Sequence, residues 1–262
     1  MLEVRKLRKK FGEFVAVDDV TFSLPEQGSL AIVGESGSGK TTTARMIAGL
    51  EAPSGGHIVL AGDERRAGRL SSRERRVRGR QIQMVFQDPY SSLDRRQRVG
   101  DAVAEAVALH QRLPADQLRA RVAELLDTVG LDDRQARSLP KALSGGQRQR
   151  VAIARALAAE PQILILDEAI AALDVSIQAQ ILTLLARIRA DTGTALLFIT
   201  HDLGAVRHIS DDVLVMQAGR VVEHGPAATV LGNPQDAYTQ RLIASIPKPG
   251  WKPQRRANRA AA

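Results

Sequence analysis

The stretch LAIVGESGSGKTT (residues 30–42) sets four apolar residues before a glycine-rich run that ends in lysine and threonine. Residues 34–41 match the pattern G-x-x-x-x-G-K-[ST], which joins a buried strand to the start of a helix. Its glycines let backbone N–H groups curl around a phosphate, the lysine reaches the β- and γ-phosphates, and the threonine hydroxyl binds Mg²⁺. The stretch therefore predicts a nucleotide-binding loop in an α/β fold. Its candidate nucleotide-binding residues are Gly34, Glu35, Ser36, Gly37, Ser38, Gly39, Lys40, Thr41 and Thr42.

The composition of the 262-residue chain excludes several kinds of site. Because cysteine is absent, the chain has no disulfide framework, no thiolate metal site and no cysteine nucleophile. No apolar run approaches the roughly 18 to 20 residues that cross a bilayer. The first residues, MLEVRKLRKKFGEF, lack the apolar core of a secretory signal. We therefore expect a globular chain that stays in the cytosol and does not itself span a membrane.

The formal net charge of +8 is concentrated in two segments, RRAGRLSSRERRVRGR (residues 65–80) and KPQRRANR (residues 252–259). Such segments can bind nucleic acid or anionic lipid head groups, although a solvated arginine-rich surface is the more common explanation. Aromatic residues make up only 3% of the chain and offer few platforms for stacking bases. We therefore expect no nucleic-acid partner.

The order of apolar patterns predicts the organisation of the chain. Short β-rich runs alternate with turns over the first ninety residues, and spacing typical of helices follows at 99–136. Runs that are apolar on both faces then indicate a parallel sheet covered by helices. The predicted strands are 2–7, 15–24, 29–33, 57–60, 82–86, 162–166 and 195–199, the predicted helices are 40–50 and 177–189, and a hairpin crosses 217–220.

An acidic pair, Asp167 and Glu168, follows the apolar run ILIL. Ligands of open α/β sheets bind at the carboxyl ends of the strands. Asp167 can hold the hydration shell of Mg²⁺, and Glu168 can orient or deprotonate an attacking water. By itself such a pair is often only a helix cap. The nucleotide-binding loop in the same chain favours the catalytic interpretation.

Three single residues are weaker candidates. Gln87, in QMVFQDP, and His201, in LLFITHD, each end a predicted strand, where they could contact Mg²⁺, water or a γ-phosphate. Phe11, in KKFG, could stack on adenine. Alone, the first two are more often ordinary strand-end residues, and Phe11 is more often a core residue.

A second candidate phosphate site lies in LSGGQRQRVAIARAL (residues 143–157). Ser144 is suited to cap a helix, and Gly145 and Gly146 would leave backbone N–H groups bare at its start. One domain would then carry two anion sites about a hundred residues apart.

Together these motifs resemble the nucleotide-binding subunit of ATP-binding-cassette transporters. The resemblance covers nearly the whole chain, and LSGGQ (residues 143–147), twenty residues before the acidic strand, is its most specific element. In the family's terms, Phe11 is the aromatic loop, Gln87 the glutamine loop, Asp174 ends the dimer loop AALD, and His201 is the switch histidine. The runs QMVFQDPYSSLDRR, LDVSIQAQIL and GNPQDAYTQRLIASIP are similar to bacterial dipeptide, oligopeptide and nickel importers.

The sequence departs from that family's pattern at three points. Ala171 stands where many relatives have serine, and Asp236-Ala237 stands where many have His-Pro. The cysteine-bearing C-terminal extension of longer peptide-importer subunits is absent from the chain. Glu168 and the full LSGGQ are intact, which argues against a degenerate site.

The resemblance implies a P-loop NTPase (RecA-like) core with a mainly parallel sheet, an N-terminal antiparallel β subdomain and an inserted α-helical subdomain. Residues 1–250 would form one nucleotide-binding domain. The core and β subdomain would take residues 1–87 and 161–250, and the helical subdomain 88–160. A basic, flexible tail would follow at 251–262.

The resemblance also implies how the residues act. Glu168, His201 and Gln87 would be catalytic, and Thr41, Gln87 and, through water, Asp167 would hold Mg²⁺. The signature residues Ser144, Gly145, Gly146 and Gln147 would cover ATP held by a partner subunit, with Asp174 at the dimer contact. Expected partners are a homologous second subunit, favoured over an identical copy, two membrane-spanning permeases and a separate extracytoplasmic substrate-binding protein. The chain would lie at the cytoplasmic face of the bacterial inner membrane.

The cargo stays open at this point. Peptides are favoured, and nickel or a metal chelate is the alternative within the family. Outside transport, the nucleotide-binding component of a carbon–phosphorus lyase complex has a similar tail. A DNA-repair cassette fits the arginines but usually inserts long coiled coils or zinc modules, for which this chain has neither heptads nor cysteine.

Overall fold

The computed structural model describes residues 1–65, 71–88 and 93–245. The predicted tail 251–262 and residues 66–70 of the arginine-rich segment lie outside the described residues. The strands are β1 (Leu2–Phe11), β2 (Phe14–Leu24), β3 (Ser29–Val33), β4 (Gly55–Leu60), β5 (Asp63–Glu64), β6 (Ile82–Val85), β7 (Ile163–Asp167), β8 (Ala195–Ile199), β9 (Asp212–Gln217) and β10 (Arg220–Pro226). The helices are α1 (Lys40–Ala48), α2 (Ser72–Gln81), α3 (Val99–His110), α4 (Ala115–Thr128), α5 (Asp133–Ala136), α6 (Gly145–Leu157), α7 (Val175–Thr192), α8 (Leu203–Ile209), α9 (Ala227–Gly232) and α10 (Ala237–Ala244), with a 3-10 turn at Pro140–Ala142.

Two sheets and the helices between and around them form the fold. One sheet is antiparallel, with strand order β2-β1-β4-β5, and the other has the order β10-β9-β3-β8-β7-β6. In the second sheet all neighbours are parallel except β9 and β10, which form the predicted hairpin. The prediction of an α/β fold with a mainly parallel sheet and an N-terminal antiparallel region is confirmed.

The parallel strands are buried on both faces because their side chains alternate between two apolar cores. Ile165 and Leu197 pack toward α1 and the antiparallel sheet, whereas Leu166 and Phe198 pack toward α6 and α7. This double burial explains the continuous apolar runs in the sequence. The predicted bounds of β3 and β8 agree with the structure, and α7 extends beyond the predicted 177–189 at both ends.

Helices α3, α4 and α5 occupy the region in which helical spacing was predicted. Val99, Val103 and Val107 lie on one face of α3 and are fully buried against a core shared with α4 and α6. Because α6 begins with the residues of LSGGQ, the inserted helices hold the signature segment. The predicted helical insertion is confirmed.

Helix α2 was not predicted, because its five arginines in ten residues read as a solvated charge run. Ser71 accepts from the backbone N–H of Glu74, whose carboxylate accepts from the N–H of Ser71 in return. This capping box was present in the sequence as Ser-x-x-Glu and could have located the helix. None of the residues of α2 is buried.

Among residues 1–65, 71–88 and 93–245, no helix combines the length and the hydrophobicity needed to span a bilayer.

Candidate nucleotide-binding site

Strand order brings four of the predicted loops to one edge of the sheet. The neighbours β3, β8, β7 and β6 run parallel, so their carboxyl ends meet there. The loop 34–41 follows β3, His201 follows β8, Glu168 follows β7 and Gln87 follows β6. This edge is where open α/β sheets bind ligands.

The loop between β3 and α1 requires glycine at its beginning and at its end. Gly34 and Gly39 have φ angles of 148° and 101°. A Cβ atom would lie 2.2 Å from the carbonyl oxygen of Met216 at the first position and 2.5 Å from that of Ala16 at the second. A residue with a Cβ atom could not approach these backbone oxygens so closely, so both positions require glycine.

Lys40 is buried beneath this loop. Its ammonium nitrogen donates to the carbonyl oxygens of Gly34 and Glu35, at 2.8 Å each. Burial lowers the pKa of Lys40, while the charges of Glu168, Asp167 and Glu35 act in the opposite direction. The loop therefore holds a partly desolvated positive charge, which favours a bound anion.

Thr41 and Asp167 are joined directly. The Thr41 hydroxyl donates to the Asp167 carboxylate at 2.9 Å. Burial raises the pKa of Asp167, the Thr41 hydrogen bond lowers it, and the charge of Glu168 raises it again. The pair presents a hydroxyl and a carboxylate oxygen at the carboxyl end of β7 and the start of α1.

Glu168 turns away from the strand in a left-handed backbone conformation, with φ of 48°. Its backbone N–H donates to the carbonyl oxygen of Ile199 at 2.9 Å. Its carboxylate lies 3.7 Å from Nδ1 of His201, and the two side chains are 23% and 60% exposed. A non-glycine residue in this conformation carries strain of the kind found at functional sites. Glu168 therefore faces the open edge of the site, unlike Asp167.

Phe11 and Gln87 are both exposed. The Phe11 side chain is 48% exposed, with the Lys9 ammonium 4.8 Å from its ring centroid. The interpretation of Phe11 as a core residue is therefore wrong, because Phe11 ends β1 at the turn into β2, where it stays exposed. Phe14, which pairs with Phe11 across that turn and is also exposed, was missed by the sequence analysis. The described hydrogen bonds and ion pairs do not join Gln87 to the nucleotide-binding loop.

The signature residues form the N-terminus of α6. The Ser144 hydroxyl accepts from the backbone N–H of Gln147 at 3.2 Å, and the Gln147 side chain accepts from the N–H of Ser144 at 2.9 Å. A Cβ atom on Gly146 would lie 2.5 Å from Cγ2 of Ile177, so this glycine lets α6 pack against the start of α7. Within the described part of the chain, no hydrogen bond or ion pair links residues 144–147 to the nucleotide-binding loop. The structure thus brings together the loop, Asp167, Glu168 and His201, and leaves the signature apart from them.

One side chain at the loop had no role in the sequence analysis. The Tyr238 hydroxyl, from α10, accepts a hydrogen bond from the backbone N–H of Glu35 at 2.9 Å. Its only signal in the sequence was a lone aromatic in the run GNPQDAYTQRLIASIP, far from the loop.

Comparison with known proteins gives consistent results. The ABC transporter family model matches residues 17–171. The oligopeptide transport ATP-binding protein OppD of Mycobacterium tuberculosis (strain ATCC 25618 / H37Rv) is 48% identical over 243 residues, which cover 93% of this chain and 39% of OppD. The glutathione import ATP-binding protein GsiA of Escherichia coli (strain K12) is 48% identical over 235 residues, which cover 90% of this chain and 37% of GsiA. The chain spans about two fifths of the length of these curated relatives.

Solved structures of similar fold match almost from end to end. The dimeric post-hydrolysis structure of the ATP-binding cassette MJ0796, bound to ADP and Pi, is 29% identical with a TM-score of 0.77, and the match covers 87% of this chain and 99% of that one. CbiO1 from Clostridium perfringens, part of the ABC transporter complex CbiONQ, is 31% identical with a TM-score of 0.80, covering 88% and 90%. The ordered motifs, the fold and the matched residues agree, and the chain belongs to the ABC transporter family.

Proposed function

We propose that this chain binds ATP with Mg²⁺ and hydrolyses it to energise a solute importer. The observation that carries the proposal is the shared sheet edge, where the phosphate-binding loop, the Thr41–Asp167 pair and Glu168 lie on neighbouring strands. The exposed ring of Phe11 is available to stack on adenine.

The residues present fit a magnesium ion. Thr41 and Asp167 offer hydroxyl and carboxylate oxygens, which Mg²⁺ prefers, and Gln87 would add an amide oxygen. The described residues contain no group of three or more acidic, histidine or cysteine side chains that would form a cage of their own. Mg²⁺ commonly takes its remaining ligands from water and nucleotide phosphates. When bound, the ion would neutralise charge that develops on the phosphates.

For hydrolysis, we assign the base to Glu168. It is more exposed than Asp167, it is not engaged with Thr41, and it lies beside His201. Glu168 would take the proton of the attacking water, while His201 and Gln87 would contact the γ-phosphate and the water. The Lys40 ammonium and the amides of residues 34–42 would hold the phosphates.

We further infer that a second cassette completes the site. Ser144 and Asp174 are exposed, and Val175, beside them at the start of α7, is 82% exposed. An exposed apolar residue beside the N-termini of α6 and α7 supports a protein contact at this face. Ser144, Gly145, Gly146 and Gln147 would then cover the nucleotide of the other subunit. A homologous subunit is favoured over a second copy.

A groove between β6 and α3 supports contact with a permease. It has a volume of about 580 Å³, and the exposed apolar residues Phe86 and Leu109 line it. Since Gln87 follows β6, a partner seated here would adjoin the nucleotide site. Two permeases would hold the chain at the cytoplasmic face of the membrane, with a separate protein delivering the substrate.

Peptides are the favoured cargo. The relatives at 48% identity are named for oligopeptide transport and glutathione import, which supports peptides over nickel and over a carbon–phosphorus lyase role. The domain division is also part of the proposal. Residues 1–87 and 161–250 would form the core and β subdomain. Residues 88–160 would form the helical subdomain, which would pass motion of the nucleotide site to the permease.

The test has two parts. Purified chain should release phosphate from ATP only when Mg²⁺ is present. When tagged chain is extracted from membranes in detergent, it should copurify with two multi-span permeases and a homologous cassette. Copurification with soluble enzymes would favour the lyase alternative, and copurification with DNA would favour a repair protein.

A further inference from the structure

The contact between Tyr238 and the nucleotide-binding loop joins residues 203 positions apart. The tyrosine is 4% exposed and packs with apolar residues of β3, α8, β9 and α9. Because the ring is held by this core, its hydroxyl oxygen has a defined position beside the Glu35 N–H. The hydrogen bond therefore connects α10 to the nucleotide-binding loop at a fixed position.

The start of α10 is itself anchored by a series of hydrogen bonds. Glu223, on β10, accepts from the backbone N–H groups of Gln235 at 2.9 Å and Asp236 at 3.1 Å. The Asp236 carboxylate accepts from the N–H groups of Tyr238 at 2.7 Å and Thr239 at 3.3 Å. Asp236 thus caps α10, a role to which aspartate is well suited. Where the sequence departs from the importer pattern at Asp236-Ala237, Asp236 therefore serves as the N-cap of α10.

Glu35 is held on both sides of its backbone. Its N–H donates to Tyr238, and its carbonyl oxygen accepts from the Lys40 ammonium at 2.8 Å and from the Ser38 N–H at 3.2 Å. A displacement of Glu35 would therefore displace an acceptor that positions Lys40. A phosphate cradle that is already ordered binds its ligand at a smaller entropic cost.

Several other contacts from outside the loop are made by backbone atoms, among them the Met216 carbonyl that borders Gly34. The Gly219 N–H donates to the Ser38 carbonyl oxygen at 3.1 Å, and the Ala16 carbonyl borders Gly39. Tyr238 contributes a side chain, so one substitution can remove its bond without changing the path of the backbone.

We propose that Tyr238 is a positioning residue for the nucleotide-binding loop, which raises nucleotide affinity by holding the Glu35 peptide in place. This inference rests on the proposed assignment of residues 34–42 as the ATP site. Tyr238 does not touch the phosphates, so its effect falls on binding and not on the chemical step.

The test is the variant Tyr238→Phe, which deletes the hydroxyl and keeps the ring. The Kd for Mg²⁺-ADP, measured by titration calorimetry, should rise about fivefold, because binding would then have to order a Glu35 peptide that the wild-type chain already holds in place. The KM for ATP should rise by a similar factor while kcat at saturating ATP is retained. Asp236→Ala should weaken binding in the same direction, and Asp236→Asn, which preserves a capping oxygen, should stay near the wild-type Kd.

The matched control is Thr194→Val. The Thr194 hydroxyl is also buried, and it donates to the Pro161 carbonyl oxygen at 3.0 Å, beside the amino ends of β7 and β8. This variant should lose stability and keep the wild-type Kd. An unchanged Kd in Tyr238→Phe would overturn the proposal, and so would an equal rise in both variants. Because ADP affinity needs no turnover, a wild-type chain that binds ADP but fails to hydrolyse ATP would contradict the proposed function alone.

Discussion

Asp167 and Glu168 are adjacent in the chain and identical in charge, yet their surroundings differ. Asp167 ends β7, is buried and bonds to Thr41, whereas Glu168 takes a left-handed conformation and faces His201. Environment separates the roles of paired carboxylates in many active sites. Here the difference in environment supports the proposed roles, in which Asp167 helps to hold the metal ion and Glu168 activates the attacking water.

At this scale we expect Glu168→Gln to abolish turnover and preserve ATP binding, because the amide keeps the size of the side chain but cannot take a proton. The loss in kcat should reach about 10²- to 10⁴-fold, the usual contribution of a general base. Phosphate release and nucleotide titration measure the two properties. The control is Glu160→Gln, the same change at another left-handed glutamate, whose side chain is exposed and pairs with Arg80. Undiminished hydrolysis by Glu168→Gln would remove Glu168 from its assigned role.

Asp167 predicts a dependence of stability on pH. Because burial raises the pKa of Asp167, this carboxyl binds a proton more readily in the folded chain than in the unfolded chain. The free energy of unfolding therefore falls as pH rises through the interval between 3.8 and the raised pKa. Asp167→Asn should therefore raise the Tm of the nucleotide-free chain at neutral pH. The gain should shrink as pH falls and vanish below 3.8. Calorimetric melting across pH measures it, and a lower Tm of the variant at neutral pH would contradict it.

Between elements, the signature helix and the helix after the dimer loop meet at a glycine. Gly146 allows α6 to approach Ile177 at the start of α7, and Gly145 similarly borders Leu173. The glycines of LSGGQ thus serve packing within the chain, in addition to the phosphate contact proposed for them.

Gly146→Ala should place its methyl group against Ile177 and cost about 1–3 kcal/mol of stability, as overpacking commonly does. Ile177→Ala in the same chain should recover part of that loss because it removes the clashing Cγ2. Gly79→Ala is the control, since the space around Gly79 within α2 is open and alanine favours helix there. Chemical denaturation measures all three. Equal stability of Gly146→Ala and wild type would contradict the contact.

For the whole molecule, the strand order places the proposed phosphate-binding and catalytic residues on one edge of the sheet, and the signature residues lie elsewhere. The chain gathers the loop, Asp167, Glu168 and His201, whereas the hydrogen bonds of the Ser144 side chain and N–H, among the described residues, stay within its own helix. This division is the structural basis for expecting a second subunit.

Ser144→Arg should spare nucleotide binding and abolish the ATP-dependent dimer in a Glu168→Gln background. Arginine would fill the face that the partner's γ-phosphate needs, and light scattering after ATP addition measures association. The substitution also removes a helix cap, which costs about 1 kcal/mol. Ser71→Arg is therefore the matched control, because Ser71 makes the same capping box at α2. A dimer that persists in Ser144→Arg would refute the assignment, and one lost in both variants would attribute the effect to stability.

Local features were readable from the sequence because they depend on residues close together in the chain. The glycines and Lys40 of the loop, the cap at Ser144 and the apolar runs of β3 and β8 each follow from neighbours within one turn or one strand. The same locality made α2 predictable from its capping box, although the arginines concealed it.

The sequence by itself determined the nucleotide-binding loop, the acidic strand, the signature helix and the α/β class. Only the tertiary structure decided the strand order that aligns Glu168 with His201, the exposure of Phe11, and the contacts Gly146–Ile177 and Tyr238–Glu35. The physical reason is that a motif specifies its own backbone through nearby groups. A contact such as that between Glu35 and Tyr238 exists because packing of the whole core brings residues 203 positions apart within hydrogen-bonding distance.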